Sequence, residues 1–241
     1  MKSKSGQVTI FVILAIIIIA GVGIYFLTKS SISEKVDHAP ETQQVYNFVK
    51  TCLEDASNEV IYNAGRGGGY YFPPELSTKS GIPYYVFNGR NYFPEISEIE
   101  NEISYFISEK IFFCTKNFED FDNYEISQGK IETSTEIFDE FVDVKTNYPL
   151  FISRNGSSSS KIEDFQIKVP VRFGIVYNSI EEFLNESSSE ICLTCLYEIA
   201  EKNDLYVEMF DYDESSVVFF FKDENSKLNE MPFQVIFANE Y

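Results

Sequence analysis

An α+β fold is predicted for this chain, with an N-terminal transmembrane helix followed by an extracytoplasmic domain of packed helices and antiparallel sheet. Three observations lead there. Val8 to Leu27 is a near-unbroken apolar run, VTIFVILAIIIIAGVGIYFL. Two later segments, Glu41 to Ala64 and Pro94 to Cys114, carry apolar residues at helical spacing. Most of the chain beyond Phe121 alternates or runs apolar in short stretches between acidic turns, the pattern of paired strands.

The apolar run comes first. At 1.5 Å per residue, about 20 residues cross the roughly 30 Å hydrocarbon core of a bilayer. Only Thr9 interrupts this one, so a basic leader (1–7) and a span (8–28) are expected. Lys2 and Lys4 precede it with no acid, whereas Lys29 and Lys35 beyond it are offset by Glu34 and Asp37. Cytoplasmic flanks carry the excess of Lys and Arg. The expected topology is therefore single-pass in the cell membrane, N-terminus cytoplasmic and C-terminal domain extracellular. A cleavable secretory signal is the competing reading, but its apolar region is about 7–15 residues and ends in a small-x-small site. The present run is longer and closes on Ile24-Tyr25-Phe26-Leu27.

The junction Lys4-Ser5-Gly6-Gln7-Val8-Thr9-Ile10-Phe11 resembles the class III signal of archaeal prepilins and archaellins. The resemblance implies cleavage between Gly6 and Gln7, retention of the apolar segment as an anchor, and its later packing in a filament core. It covers about the first 27 residues. One departure stands out: many type IV pilins have an acidic residue at mature position five, where this chain has Phe11. The remaining chain is similar to archaeal surface proteins that open this way, a resemblance that implies no activity.

Beyond the span, a linker over 29–40 is expected, broken by Pro40. An α+β domain follows over 41–241, either as one body or as two lobes, 41–121 and 122–241. In the first helix Val45, Phe48, Val49, Cys52, Leu53, Ala56 and Val60 form one stripe, and Gly65 supplies its stop. The loop Gly65-Arg66-Gly67-Gly68-Gly69-Tyr70-Tyr71 lacks the Gly-Lys-Ser/Thr of a phosphate cradle and reads as a helix C-cap and turn. Arg66, Tyr70 and Tyr71 are its candidate contact residues. Ile82 to Phe93 reads as a hairpin about the Asn88-Gly89 turn. Pro94-Glu95 then opens a helix whose stripe is Ile96, Ile99, Ile103, Phe106, Ile107, Lys110 and Cys114, with the Lys110 amine extended to water.

Tyr124 to Ile126 and Lys130 to Thr133 suggest a hairpin about Gln128-Gly129, and Phe141 to Lys145 and Tyr148 to Ser153 two further strands. Phe165, Ile167, Val169, Val171, Phe173 and Ile175 alternate along one face, and Pro170 among them implies an edge, a bulge or a strand-to-helix switch. Ile180 to Glu201 reads as helix, with a break at Ser187 to Ser189. Three strands close the chain: Leu205 to Phe210, Ser216 to Lys222 and Phe233 to Ala238, separated by Asp211 to Glu214 and Asp223 to Glu230. Val217 to Phe221 is apolar on both faces, as in a central strand covered on each side. Short acidic turns between sequential strands indicate an antiparallel meander.

Composition bounds the function. A formal charge of −19, from 38 acidic and 19 basic residues, disfavours nucleic acid and anionic membrane surfaces as partners. No acidic loop has EF-hand spacing, and Asp211-Tyr212-Asp213-Glu214 reads as a solvated turn rather than a Ca²⁺ site, which needs six or more oxygen donors. Asn155-Gly156-Ser157 and Asn185-Glu186-Ser187 are candidate glycosylation sites. The single His38 lies in the linker, so neither a Ser-His-Asp nor a Cys-His catalytic set can be assembled in the domain, and no catalytic residue, metal or cofactor is assigned.

Four cysteines in an exported chain permit two disulfides. Cys52 and Cys114 lie on the apolar faces of the two predicted helices and are expected to pair. Cys192 and Cys195, in Cys-Leu-Thr-Cys on a third helix, remain open among structural disulfide or buried thiols, redox pair and metal ligands. The leading functional expectation is a membrane-anchored surface protein with a structural or interaction role, in the form of a pilin-like subunit, whose partner is another protein or a second copy of itself. An anchored binding module using the Gly/Tyr-rich loops and an exported thiol-redox protein are the two alternatives.

Overall fold

The computed structural model describes residues 40–154, 159–187 and 190–241. The expected leader, span and Gly6-Gln7 junction, the linker up to residue 39 and Asn155 lie outside the described residues. No helix among those described is long and apolar enough to cross a membrane. Residues Thr42–Tyr241 form one compact unit of mixed α+β structure.

Helix α1 (Pro40–Arg66) begins on Pro40 itself rather than after it. The reason is that a first-turn proline lacks only an N–H that the helix would leave unpaired. Val45, Val49, Leu53, Val60, Ile61 and Ala64 are fully buried along its inner face. The helix ends where the Gly69 N–H donates to the Ala64 carbonyl (2.7 Å) and the Gly68 N–H to that of Gly65 (3.0 Å). That pair of bonds is a Schellman cap, and it needs Gly68 at φ +59°. A Cβ there would stand 2.6 Å from Pro83 and 2.7 Å from the Ile236 carbonyl, so the glycine loop is tucked against the sheet.

Strands β1 (Tyr84–Phe87) and β2 (Arg90–Asn91) form the expected hairpin. Its Asn88 and Gly89 both have positive φ, as a type I′ turn requires. Helix α2 (Ile96–Thr115) is opened by a capping box between Glu95 and Glu98. Its buried row is Ile99, Ile103, Ile107, Ile111 and Thr115. Ile111 therefore takes the inward place that the expected stripe gave to Lys110. The Lys110 side chain remains partly exposed, as expected, and its amine also bonds Glu59 of α1 at 2.6 Å. Cys52 and Cys114 close a disulfide between the two helices, Cα atoms 5.8 Å apart.

The first sheet after α2 departs from the expected hairpin. Strands β3 (Glu125–Gln128) and β4 (Glu132–Ile137) do not pair with each other but lie end to end along one edge of β5 (Val142–Ser153), with β6 (Ser160–Val169) on the other edge. The chain does not turn at Gly129 because its N–H donates to the Pro149 carbonyl of β5 (2.8 Å), which holds the segment along that strand. Pro149 lies inside β5, so the two strands expected at 141–145 and 148–153 are one. The proline sits where the β5–β6 register shifts between Asn147 and Leu150, a place where a missing donor is tolerated.

Pro170 marks a strand-to-helix switch. β6 stops at Val169 and helix α3 (Phe173–Glu186) starts after three intervening residues, so Phe173 and Ile175 are helical rather than extended. Helix α4 (Leu193–Asn203) follows the expected break. Strands β7 (Tyr206–Asp211), β8 (Ser216–Leu228) and β9 (Met231–Glu240) form the antiparallel meander of a second sheet, ordered β2-β1-β9-β8-β7, in which β1 joins β9 in parallel. The expected loop from Asp223 to Glu230 is mostly strand: β8 bulges between Asp223 and Lys227 and turns only at Asn229-Glu230, both at positive φ.

The core lies between these layers. Phe183 of α3 meets Phe219 and Phe221 of β8 at 5.1 and 6.0 Å, and Phe237 of β9 stacks on Tyr85 and Phe219 at 4.4 and 5.2 Å. Tyr46 of α1 stacks on Phe165 of β6 at 5.1 Å. The opposite face of β8 is covered too: Val218, Ile236 and Ala238 are buried, with Ile82, Tyr84 and Tyr212 packed on them.

One charged group is fully buried with a partner. The Asp223 carboxylate receives Arg172 Nε and Nη2 at 3.1 and 3.0 Å, the Asn225 N–H at 3.1 Å and the Ser226 hydroxyl. Removing one member of such a pair strands the other without solvent, a loss of about 3–5 kcal/mol. In urea titrations of the detergent-solubilised chain, Arg172→Met is expected to lose stability on that scale, and the double change Arg172→Met/Asp223→Leu to recover much of it.

Burial also pushes the Tyr85 phenol well above its ordinary value, and raises Tyr148 and Tyr177. A raised folded value means the unfolded chain gives up the proton first, near pH 10. The stability contributed is present below that pH and is lost as pH climbs above it. Alkaline unfolding followed by circular dichroism is expected to set in above about pH 10, and Tyr85→Phe to flatten its dependence on pH.

Candidate functional site

The four cysteines form two bonds in different settings. Cys52 is 2% exposed and Cys114 half-buried, and their bond lies between two long helices. Cys192 and Cys195, half-buried, join across the first turn of α4, Cα atoms 5.3 Å apart. Cys192 is the N-cap: its sulfur accepts the Cys195 N–H at 3.3 Å, and its own N–H donates to the Ser187 hydroxyl at 3.2 Å. The free N–H groups of a helix start carry a partial positive charge, which favours an anion on that sulfur.

Glu186 closes the arrangement from the end of α3. One of its carboxylate oxygens and both sulfurs lie within 4.8 Å of one another. Sequence reasoning missed this residue, although it stands only six positions before Cys192; the break between helices folds it back onto the cysteines. In the reduced state the three groups offer two thiolates and a carboxylate, one ligand short of a structural zinc set.

Beside the disulfide runs a groove of about 430 Å³ between α4 and β7, lined by Leu193, Leu196, Tyr197, Leu205, Tyr206 and Val207 among others. Leu193, between the two cysteines, is 58% exposed and Tyr197 65%. β7 is the last strand of its sheet and pairs only with β8 among the described residues. Of the groove residues, the sequence pattern had placed Leu196 on a helix and Leu205 to Val207 on a strand, without showing that these adjoin.

The other candidates are dispersed. Tyr71 stacks on Phe106 at 4.3 Å, its N–H donates to Glu102 at 3.1 Å, and its hydroxyl reaches Glu59 at 3.4 Å. Tyr70 is half-buried, and burial with Glu98 and Glu102 nearby raises its phenol. Arg66 is exposed and lies over the Tyr62 ring at 5.7 Å. Asn185 is exposed in the last turn of α3, while Ser187 of the same sequon is buried. In the acidic turn Asp213 accepts the Ser215 and Ser216 N–H groups at 3.0 and 2.8 Å, which lowers its carboxyl below the ordinary range.

The class defined by fold and site is an α+β domain with two sheets, an inter-helix disulfide and a half-buried CxxC disulfide at a helix start. No family model, curated protein or solved structure matches the chain.

The two bonds differ in what they constrain. Cys52–Cys114 spans 62 residues, and closing a loop of that length removes about 4 kcal/mol of unfolded-chain entropy in the polymer model. For the three-residue separation of Cys192–Cys195 the same relation gives about 1.5 kcal/mol. Replacing each pair by serines is expected to reproduce this order in denaturation midpoints.

Proposed function

We propose that the chain is a membrane-anchored cell-surface protein whose folded domain acts outside the membrane in a structural or interaction role. The observation that carries this reading is the pairing of all four cysteines into two disulfides. Disulfides persist in oxidising, extracytoplasmic surroundings and are rare where glutathione keeps thiols reduced. The anchor rests on the apolar run of residues 8–28, and the orientation on the lysines before it. In its sharpest form the reading is a pilin-like subunit, processed between Gly6 and Gln7, that associates with copies of itself.

A second observation favours engagement of a protein partner. Phe72, Tyr105, Phe112 and Phe113 are all more than half exposed on or beside the outer face of α2. Exposed aromatics at this density on an ordered element mark surfaces that other proteins cover.

Mass spectrometry of the N-terminus of membrane-extracted protein tests the proposal. A start at Gln7 is expected if the subunit is processed as a prepilin, and an intact leader would leave an unprocessed anchored ectodomain. A start beyond Leu27 would overturn the anchor.

A further inference from the structure

We propose that the Cys192–Cys195 disulfide is a thiol–disulfide exchange site for a dithiol segment of another protein, extended and apolar, seated in the groove between α4 and β7. This goes beyond a surface role, because it gives the domain a chemical activity that needs neither the anchor nor a filament.

Three independent features meet at that bond. The first is access: both of its cysteines are half-buried at the domain surface, whereas the other disulfide pairs half-buried Cys114 with Cys52, which is 2% exposed. Exchange requires a thiolate to approach one sulfur in line with the bond it breaks. The second is a built-in place for charge, since Cys192 Sγ already accepts the Cys195 N–H at the positive end of an eleven-residue helix. The third is Glu186, with a carboxylate oxygen within 4.8 Å of both sulfurs, near enough to pass a proton directly or through one water.

The chemistry follows from these positions. A thiol of the partner yields its proton to Glu186 and its sulfur attacks Cys192 Sγ. The Cys192–Cys195 bond breaks, Cys195 leaves with the electron pair, and Glu186 returns the proton to it. The partner's second thiol yields its proton to Glu186, and its sulfur then attacks the partner sulfur of the mixed disulfide. Cys192 departs as the thiolate held by the Cys195 N–H, and takes up the second proton. The partner dithiol is oxidised by two electrons to a disulfide, and Cys192 and Cys195 become two thiols; run backwards, the same steps reduce a partner disulfide.

The groove identifies what approaches. It begins at Leu193, next to Cys192 in the chain, and continues over Leu196, Tyr197, Leu205, Tyr206 and Val207. β7 forms its far wall and is an edge strand, whose outer main chain matches the hydrogen-bonding groups of an extended segment. An apolar cysteine-bearing segment in extended form satisfies both walls and brings a thiol to Cys192. A small hydrophilic thiol satisfies neither.

The test uses the full-length chain in detergent with two probes: reduced glutathione, and a synthetic extended apolar peptide carrying two thiols. Exchange is quenched by acid and alkylation, and peptide mass spectrometry reads each cysteine. With the peptide, Cys192–Cys195 is expected to open at least tenfold faster than Cys52–Cys114, and at least tenfold faster than with glutathione at equal thiol. Cys195→Ser is expected to capture the oxidised peptide as a mixed disulfide on Cys192. Cys192→Ser should capture at least tenfold less on Cys195. Glu186→Gln slows both probes several-fold, and Tyr197→Ser lowers the ratio of the peptide rate to the glutathione rate at least several-fold. An unchanged circular dichroism spectrum, together with slow opening of Cys52–Cys114 by thiol, reports in every variant that the domain stays folded. Equal opening of both disulfides, or opening of Cys192–Cys195 only after denaturation, would overturn the exchange site. Equal rates for peptide and glutathione in the unaltered chain would overturn the proposed partner.

Discussion

The ion pair between Arg172 and Asp223 is the constraint on which the second half of the fold depends. Arg172 lies in the three-residue passage from β6 to α3, two positions after the proline that stops the strand. Its side chain reaches Asp223 at the bulge of β8 and also donates to the Asn203 carbonyl at the end of α4 (2.9 Å), while its N–H donates to Ser226 at 2.9 Å. One residue therefore fixes where a sheet edge ends, where a helix begins, how β8 bends and where α4 stops. A charge buried at this depth is costly unless every lone pair is met, and here the carboxylate is met by guanidinium, main chain and hydroxyl together. Asp223 has 0% exposure, so any slip of β8 relative to α3 would separate the pair in a medium that does not screen it.

That fixed corner reaches the candidate site through two short helices. α3 is held on its inner face by Phe183 against Phe219 and Phe221, and α4 at its C-terminal end by Arg172. Asn203 adds a bond to the Ser179 hydroxyl of α3 at 3.0 Å. Both helices are thus anchored away from the connection between them, which leaves Glu186 at one free end and Cys192 at the other. The CxxC turn sits where the scaffold is rigid on both sides but carries little of the core itself. A bond placed there can open at an entropic cost well below that of the long Cys52–Cys114 loop.

Much of this was legible in the residues, and what was not has physical causes. The stripes of α1 and α2 predicted both helices, and with them the Cys52–Cys114 bond, because two inward-facing cysteines on packed helices have few other places to go. Asn88-Gly89 announced its hairpin because few other residue pairs accept two positive φ angles cheaply. The misreadings arose where composition and pairing disagree. Residues Asp223 to Lys227 are polar enough to be a loop, yet they continue β8, since the acid is satisfied by an arginine 51 positions earlier. Gln128-Gly129 looks like a turn, but the nearby Pro149 carbonyl claims its N–H. Phe173 and Ile175 extend an alternating pattern past Pro170 by chance of spacing, while Phe173, Val176, Tyr177 and Ile180 already carry a helical one. At the site, the CxxC was visible and its neighbours were not. Glu186 and the wall formed by β7 depend on how α3 and α4 fold back, a long-range fact that local periodicity does not encode.

Charge and apolar surface play separate parts in how such a domain meets a partner. With a net charge of −19, its field repels polyanions, yet at physiological salt that field decays over about 8 Å. It therefore governs which molecules approach, not how long they stay. Residence falls to the apolar side chains left in water, and each well-buried aromatic contributes about 1.5–3 kcal/mol when covered. Among the surfaces that supply them are the outer face of α2, with Phe112 and Phe113, and the α4–β7 groove, with Tyr197 and Tyr206. Of the two, the groove also runs beside a strand that pairs on one side only among the described residues, so a partner resting there in extended form would bring its own sulfur toward Cys192. An accessible disulfide alone would react indiscriminately with any thiol; set beside an apolar wall, it selects by residence time.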